Sequence, residues 1–465
     1  MEFLTTNVFY LILQGGFELP RIEFPYLGTR GLTGIVMLIH ILFATLFVGY
    51  AVGSPLLQYW SVRTGNPRME RLAHSMARFN VLTFSVGATF AVMFLVLLAG
   101  FYPRVTMALF THFFWFFPVI AMTAMLLTLW LFYIHYYRAQ NRARPLNIAA
   151  GLAAAAFILL WQTILTGIDQ FMVTGGPAGD PVLQDGSGMS NIGSALYSLF
   201  SPTFIPMNIH RIFGNLSWPA FAVAAWAAFS YRTAKSAEDK AFFDWAGSMG
   251  VIWGTIFLLL QPLGGFTIAY AMKLGAPGPY DRLTGSGADE GTFTSNLLYV
   301  NLAMVVGLFV LSNVAMYVGA ERHPDYDGQR PIRFFGLVAA LAGLYSISPL
   351  AQFPFLYMRY IMILIMVLAT VGALVAYVRG RRQFRYGNPS GRYLAVLLAL
   401  GVLAAVVTAS MGWMKSNSRV PYTIYGQPEY KVESQTPVTP EQFDQATPRV
   451  LGTPESEKTP RAKEG

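Results

Sequence analysis

The sequence predicts an all-α fold, a polytopic membrane helical bundle of about ten transmembrane helices, and three observations carry that reading. Of 465 residues, 54% are hydrophobic and only 12% are charged, with a mean hydropathy of +0.47, a balance foreign to soluble domains. Apolar runs of about 20 residues recur along most of the chain, each long enough as a helix to cross a hydrocarbon core. Arginine and lysine gather in alternate connections between those runs. The net charge of +9 therefore reflects orientation in a membrane and not a nucleic-acid surface. Membrane lipid is an expected partner and nucleic acid is not.

The runs fall at 31–53, 79–101, 113–132, 148–167, 204–229, 250–271, 297–318, 334–350, 353–378 and 393–411. Basic clusters mark every second connection: Arg63 to Arg78, Arg138 to Arg144, Arg232 to Lys240, Arg322 to Arg333, and Arg379 to Arg392. Those connections are expected to be cytoplasmic, which puts both termini in the periplasm if the membrane is a bacterial inner membrane. Residues 1–30 lack a basic leader and a small-residue cleavage site, so they read as an interfacial segment and not a signal peptide. Residues 31–414 form the bundle. Residues 415–465, with repeated Thr-Pro and Glu-rich segments, read as a hydrophilic, partly disordered periplasmic tail.

Cysteine is absent, which excludes disulfides, iron–sulfur clusters held by this chain and covalently attached haem. Histidine and methionine are then the residues to follow. His210 and Arg211 stand at the head of the fifth run, which carries no charge from Ile212 to Tyr231. An imidazole at that depth needs a partner or a metal, because an unpaired polar group in lipid costs several kcal/mol. Gly214, one turn on, leaves a side-chain-free surface suited to a planar macrocycle, and Arg211 is placed to neutralise a propionate. The alternative is a polar contact between helices. His40 repeats the arrangement in the first run, with Ala44 one turn on. In the ninth run Met358, Met362 and Met366 share one helix face, and Arg359 is a second candidate for a propionate. A methionine stripe usually means packing; a His210/Met362 pair would instead hold a low-spin b haem of relatively high potential. His112 is a candidate second ligand for a haem at His40, or an interfacial histidine. His74, His135 and His323 read as surface or interface residues. The connection 272–293 reads as a mobile outer loop in which Lys273, Asp281 and Arg282 either bind a quinone headgroup or are solvated charges.

The order of His40, MNIHRIFGNLSWPAF (207–221), YIMILIMVL (360–368) and GWMKSNSRVPY (412–422) resembles subunit I of the cytochrome bd-type quinol oxidases. The resemblance implies that His210 and Met362 are the axial pair of a low-spin b haem. It also implies that His40 binds a haem of the oxygen-reducing pair. The chain departs from the family at its carboxylates. Phe117 and Met125 stand where glutamates of the third helix belong, Ser416 or Asn417 follows the closing Gly-Trp in place of another, and QPLGGFT (261–267) has lost an acidic quinol motif. None of the 23 acidic residues lies inside a predicted span. The expectation is a divergent family member: a b-haem subunit, with one or two non-covalent haems, of a respiratory complex. It would exchange electrons between the quinone pool and a periplasmic partner such as a cytochrome c or an iron–sulfur protein. The alternatives are a quinol:oxygen oxidoreductase of the bd type and a haem-free scaffold or transporter.

Overall fold

The computed structural model describes residues 28–138, 144–174, 192–285, 293–321, 323, 326–352 and 357–417, together with a two-stranded antiparallel pairing of Thr423–Ile424 with Gln427–Pro428. The predicted interfacial segment and hydrophilic tail lie almost wholly outside the described residues.

The chain begins with a long helical hairpin, α1 (Gly28–Thr64) and α2 (Pro67–Phe101). Its turn is built from Gly65 at φ 64° and Asn66, whose side chain accepts from the Arg68 N–H, with Pro67 in the first helical position. A short α3 (Pro103–His112) leads into a π-helical stretch, Trp115–Ala121, and then α4 (Met122–Tyr133). The sequence predicts one continuous helix over 113–132. Pro118 sits inside the π-helical stretch, lacks an N–H and crowds the preceding turn, so the backbone widens there. After α5 (Arg144–Thr174) and the short α6 (Ile192–Leu199) come α7 (Phe204–Thr233) and α8 (Ala237–Gly275), the latter capped by the Ser236 hydroxyl. The rest is α9 (Pro277–Thr284), α10 (Phe293–Glu321), α11 (Gln329–Ile347), α12 (Met358–Gly380) and α13 (Gly391–Asn417).

Ten helical spans among the described residues are long and apolar enough to cross a membrane, which makes this a multi-pass membrane bundle. Several run past the apolar stretches that predict them. A hydropathy window stops at a charge, whereas helical hydrogen bonding continues through it. The expectation that no acid lies in a span is corrected by this extension. Asp169 lies within α5, and Asp244, 2% exposed, lies within α8.

The most extensive pairings are α7 with α8, α1 with α2, and α11 with α12. The last helix, α13, returns to the centre and packs on α7, α10 and α1, so the core closes around the chain's end. Small residues set the closest approaches: a Cβ at Gly250 would lie 2.7 Å from the Ala220 carbonyl oxygen and the Ala224 nitrogen. The arginine-bearing connections meet at one end, here called the basic end. Arg71 bridges to Asp239 at 2.5 Å and Arg144 to Glu70 at 3.3 Å. The Tyr231 hydroxyl donates to the Gly387 carbonyl at 3.0 Å, and His323 stacks on Phe384 at 4.2 Å. His135 is no interface residue. It is buried at 4% exposure, bonded to the Asn147 carbonyl and to Ser54, each at 3.0 Å. His74 is exposed.

Candidate functional site

The predicted ligands lie toward the other end of the bundle, the far end. His210 is in the second turn of α7 and faces α8. A Cβ at Gly264 would fall 2.9 Å from its Nδ1, so only glycine lets the imidazole seat there. Gln261 Nε2 donates to the His210 carbonyl at 3.2 Å and lies 3.5 Å from where a Cβ on Gly214 would be. The surface predicted to be bare at Gly214 is thus covered by Gln261. The QPLGGFT segment, without carboxylates, forms the seat of His210.

Arg211 turns toward α5. Its Nη1 donates to Thr166 Oγ1 at 2.9 Å and lies 3.7 Å from Asp169 Oδ2, and Asn215 donates to Gln162 one turn away. Two polar stripes therefore face each other. Gln162, Thr166 and Asp169 recur at helical spacing on α5, and Arg211 and Asn215, one turn apart on α7, meet them. That spacing is visible in the sequence, but a search for isolated histidines passes over it.

His40, half-buried on α1, is held by the Gly87 carbonyl of α2 at 2.9 Å from its Nδ1. A carbonyl only accepts, so Nδ1 carries the proton and Nε2 keeps a lone pair. This is the arrangement in which a metal-ligating histidine is fixed by its outer hydrogen bond.

His112 is engaged differently. Its Nε2 is 2.8 Å from Ser198 Oγ, whose own proton goes to the Ser194 carbonyl at 3.0 Å, so the imidazole donates. It is 3% exposed, stacked on Phe171 at 5.4 Å and edge-on to Phe113. Burial pushes its pKa down to about 4. These hydrogen-bond and ring contacts tie it to α5, α6 and the adjoining turn, not to His40.

On α12, Met366 is 2% exposed against Gly343 and Val306, while Met362 is half-buried against the central core and Met358 half-buried one turn nearer the end. Arg359 is half-buried, and its Nε is buried without a hydrogen-bond partner among the described residues. The helix α8 stands between α7 and α12. Gly264 seats His210, Phe266 meets Tyr360 edge-on at 5.9 Å, and Gly265 between them faces open space. An orphaned guanidinium nitrogen, an imidazole with its lone pair kept available and open space beside the His210 seat together fit a propionate-bearing, iron-centred planar group.

The predicted outer loop is in part helical. Pro277 starts α9, Gly285 at φ 73° closes it, and the helix packs between α8 and α10. Asp281 and Arg282 are half-buried on α9, and Lys273 is exposed in the last turn of α8. Asp289 and Glu290 lie outside the described residues.

Residues 29–277 match the family described as cytochrome bd terminal oxidase subunit I. The chain belongs to that family. The match takes in the first six spans with His40, His112, His210, Arg211 and Lys273, while Asp281, Arg282, Met358, Arg359 and Met362 fall beyond it. Among solved structures, the bd oxidase from Geobacillus thermodenitrificans is similar at a TM-score of 0.48 and 13% identity, covering 84% of this chain and 97% of that one. No curated protein matches the sequence. Membership makes this a quinol-oxidase-type respiratory membrane subunit, of a family whose members typically bind haem and use quinol.

Proposed function

We propose that this chain is the b-haem membrane subunit of a respiratory electron-transfer complex, exchanging electrons between the quinone pool and a periplasmic redox partner. The observation that carries the reading is the chemistry around α4. Met125, half-buried, packs against a hydrophobic cluster of Phe47, Val48, Ala51 and Ile158, and Phe117 packs edge-on to Phe110. No proton-carrying side chain stands at either position, and reducing oxygen consumes a proton for each electron. Passing single electrons needs no such relay.

A b haem supplies one-electron transfer when bound. The residues that would hold it are His210 and Met362, with Met358 on the same methionine face and Arg359 toward a propionate; Arg211 could meet a propionate only by sharing the guanidinium already turned to Thr166 and Asp169. His40, its Nε2 lone pair kept available by Gly87, is the ligand for a second haem. We assign His112 to packing, because Ser198 already takes its Nε2 proton. Lys273, Asp281 and Arg282 are the candidates for a quinone headgroup near the far end. The basic end faces the cytoplasm of a bacterial inner membrane, and both termini face the periplasm, as the arginine distribution favours. The partner, a cytochrome c or an iron–sulfur protein, brings its own centres because this chain has no cysteine.

A second reading, a quinol:oxygen oxidoreductase of the bd type, rests on the family match across the first six spans. A carbon monoxide difference spectrum of the purified complex, with haem extraction on the same sample, separates the readings. Low-spin b haem without a carbon monoxide response is the expected result. A high-spin, carbon monoxide-binding haem establishes the second reading, and a complex without haem, as a scaffold or transporter would be, defeats both.

A further inference from the structure

Far from His40, His112 and His210, at the basic end, a cavity of about 340 Å³ opens where the start of α2 meets the α12–α13 connection. Its lining is cationic. Arg68 comes from the first turn of α2, and Arg381 and Arg382 come from the residues just after α12. No carboxylate lines it, and none of the three arginines has a carboxylate partner among the described residues. Two other arginines at this end do have carboxylate partners: Arg71 has Asp239 and Arg144 has Glu70. Two of the three make weak contacts among the described residues. Arg381 touches the Met249 sulfur at 3.1 Å, and Arg68 lies over the Tyr386 ring at 5.7 Å. The nearby Asp244 carboxylate is turned to the Gly387 N–H at 2.8 Å.

Two further features set the sign and level of what binds. Asn66, Pro67 and Arg68 are the cap and first turn of a helix of 35 residues, so the positive end of its dipole is directed at the cavity. Trp245 and Tyr386 line the wall, the residue types that settle at the headgroup level of a bilayer. A cationic, aromatic-walled cavity at the end of a membrane bundle is complementary to a phosphodiester that carries acyl chains.

We infer that this cavity binds the headgroup phosphate of an anionic phospholipid, with Arg68, Arg381 and Arg382 as its ligands. The site is independent of the haem reading. It couples the α1–α2 turn, α8 and the α12–α13 connection through one bound lipid.

The test uses the purified full chain after delipidation, with thermal unfolding and native mass spectrometry in the presence of phosphatidylglycerol, phosphatidylcholine or inorganic phosphate. Phosphatidylglycerol should be retained and should raise Tm by about 3 °C or more, with phosphatidylcholine and inorganic phosphate at millimolar concentration doing neither. The double variant Arg381→Gln/Arg382→Gln should weaken retention about tenfold or more. Arg381→Lys/Arg382→Lys should keep part of it, and Arg333→Gln, at the same end but paired to Tyr317, should bind as the unmodified chain does. If the double variant does not fold, Arg68→Gln gives the same reading. Equal retention of phosphatidylcholine, an equal loss in Arg333→Gln, or a shift reproduced by inorganic phosphate would each overturn the assignment, the last by making the ligand a free anion.

Discussion

The two halves of α8 are built on different terms. From Asp244 to Ile252, toward the basic end, every residue is buried, and Gly250 lets α7 approach to backbone contact. Beyond Leu258 only Gly264, Ile268 and Met272 are buried, while Leu263, Phe266, Tyr270 and Leu274 are 65%, 48%, 67% and 68% exposed. The neighbours follow the same pattern. On α7 the buried residues concentrate at 217–228, and on α12 at 366–380, whereas Ile205, Ile209, Tyr360 and Leu364 are exposed. The basic half of these helices is packed mainly by this chain's own side chains. The far half carries His210, Met362 and Arg359 and is not closed by this chain's own side chains, as expected where lipid, partner subunits and a prosthetic group supply the remaining contacts.

Substitutions that treat the halves differently sharpen this contrast. Gly250→Leu should have the largest effect. Its Cβ meets backbone on α7 that cannot step aside, so a loss of about 3 kcal/mol or more, or failure to fold, is expected in thermal unfolding. Gly264→Val meets the His210 Nδ1 at 2.9 Å, with the His210 Cβ and Cα at 3.0 and 3.2 Å, so the imidazole must turn away and α7 give by a few tenths of an ångström. The chain should fold with Tm within a few degrees, but the low-spin haem signal should fall by more than half, because His210 loses its seat. If Gly264→Val unfolds the protein as Gly250→Leu does, the halves are not distinct.

The acid response has a defined sign. The buried His112 imidazole titrates near 4, below the ~6.5 of an unfolded histidine. Between those values the unfolded chain binds the extra proton, so stability should fall as pH drops from about 6.5 toward 4, by up to about 3 kcal/mol. His112→Phe should flatten that part of the pH–stability curve without removing haem. The smallest effect belongs to Arg359→Gln. Loss of a cation beside a propionate should leave haem content unchanged and lower the midpoint potential by tens of millivolts, on the order of 1 kcal/mol. An unchanged potential would place Arg359 away from the haem.

The spans were legible because a run of about 20 apolar residues has few other uses. Their ends were not, since charges such as Asp244 and Asp169 sit inside helices that hydrogen bonding carries onward. The break at Pro118 and the helix between Pro277 and Gly285 were written in the chain as a proline and a pair of caps. The family was legible in the order of His40, His210 and Met362, and its match covers the first two of these. The polar ladder of α5 on α7 was present as spacing. His135 was misjudged because one of its partners is a backbone carbonyl and the other lies on α1, contacts that no local pattern encodes.

The most direct test of the central claim is a reduced-minus-oxidised spectrum, with haem counted per polypeptide, on His210→Ala beside the unmodified protein. Loss of one low-spin b haem is expected, with Tm held to within a few degrees because the basic half packs on its own side chains. A variant that keeps its full haem content and an unchanged spectrum would contradict it.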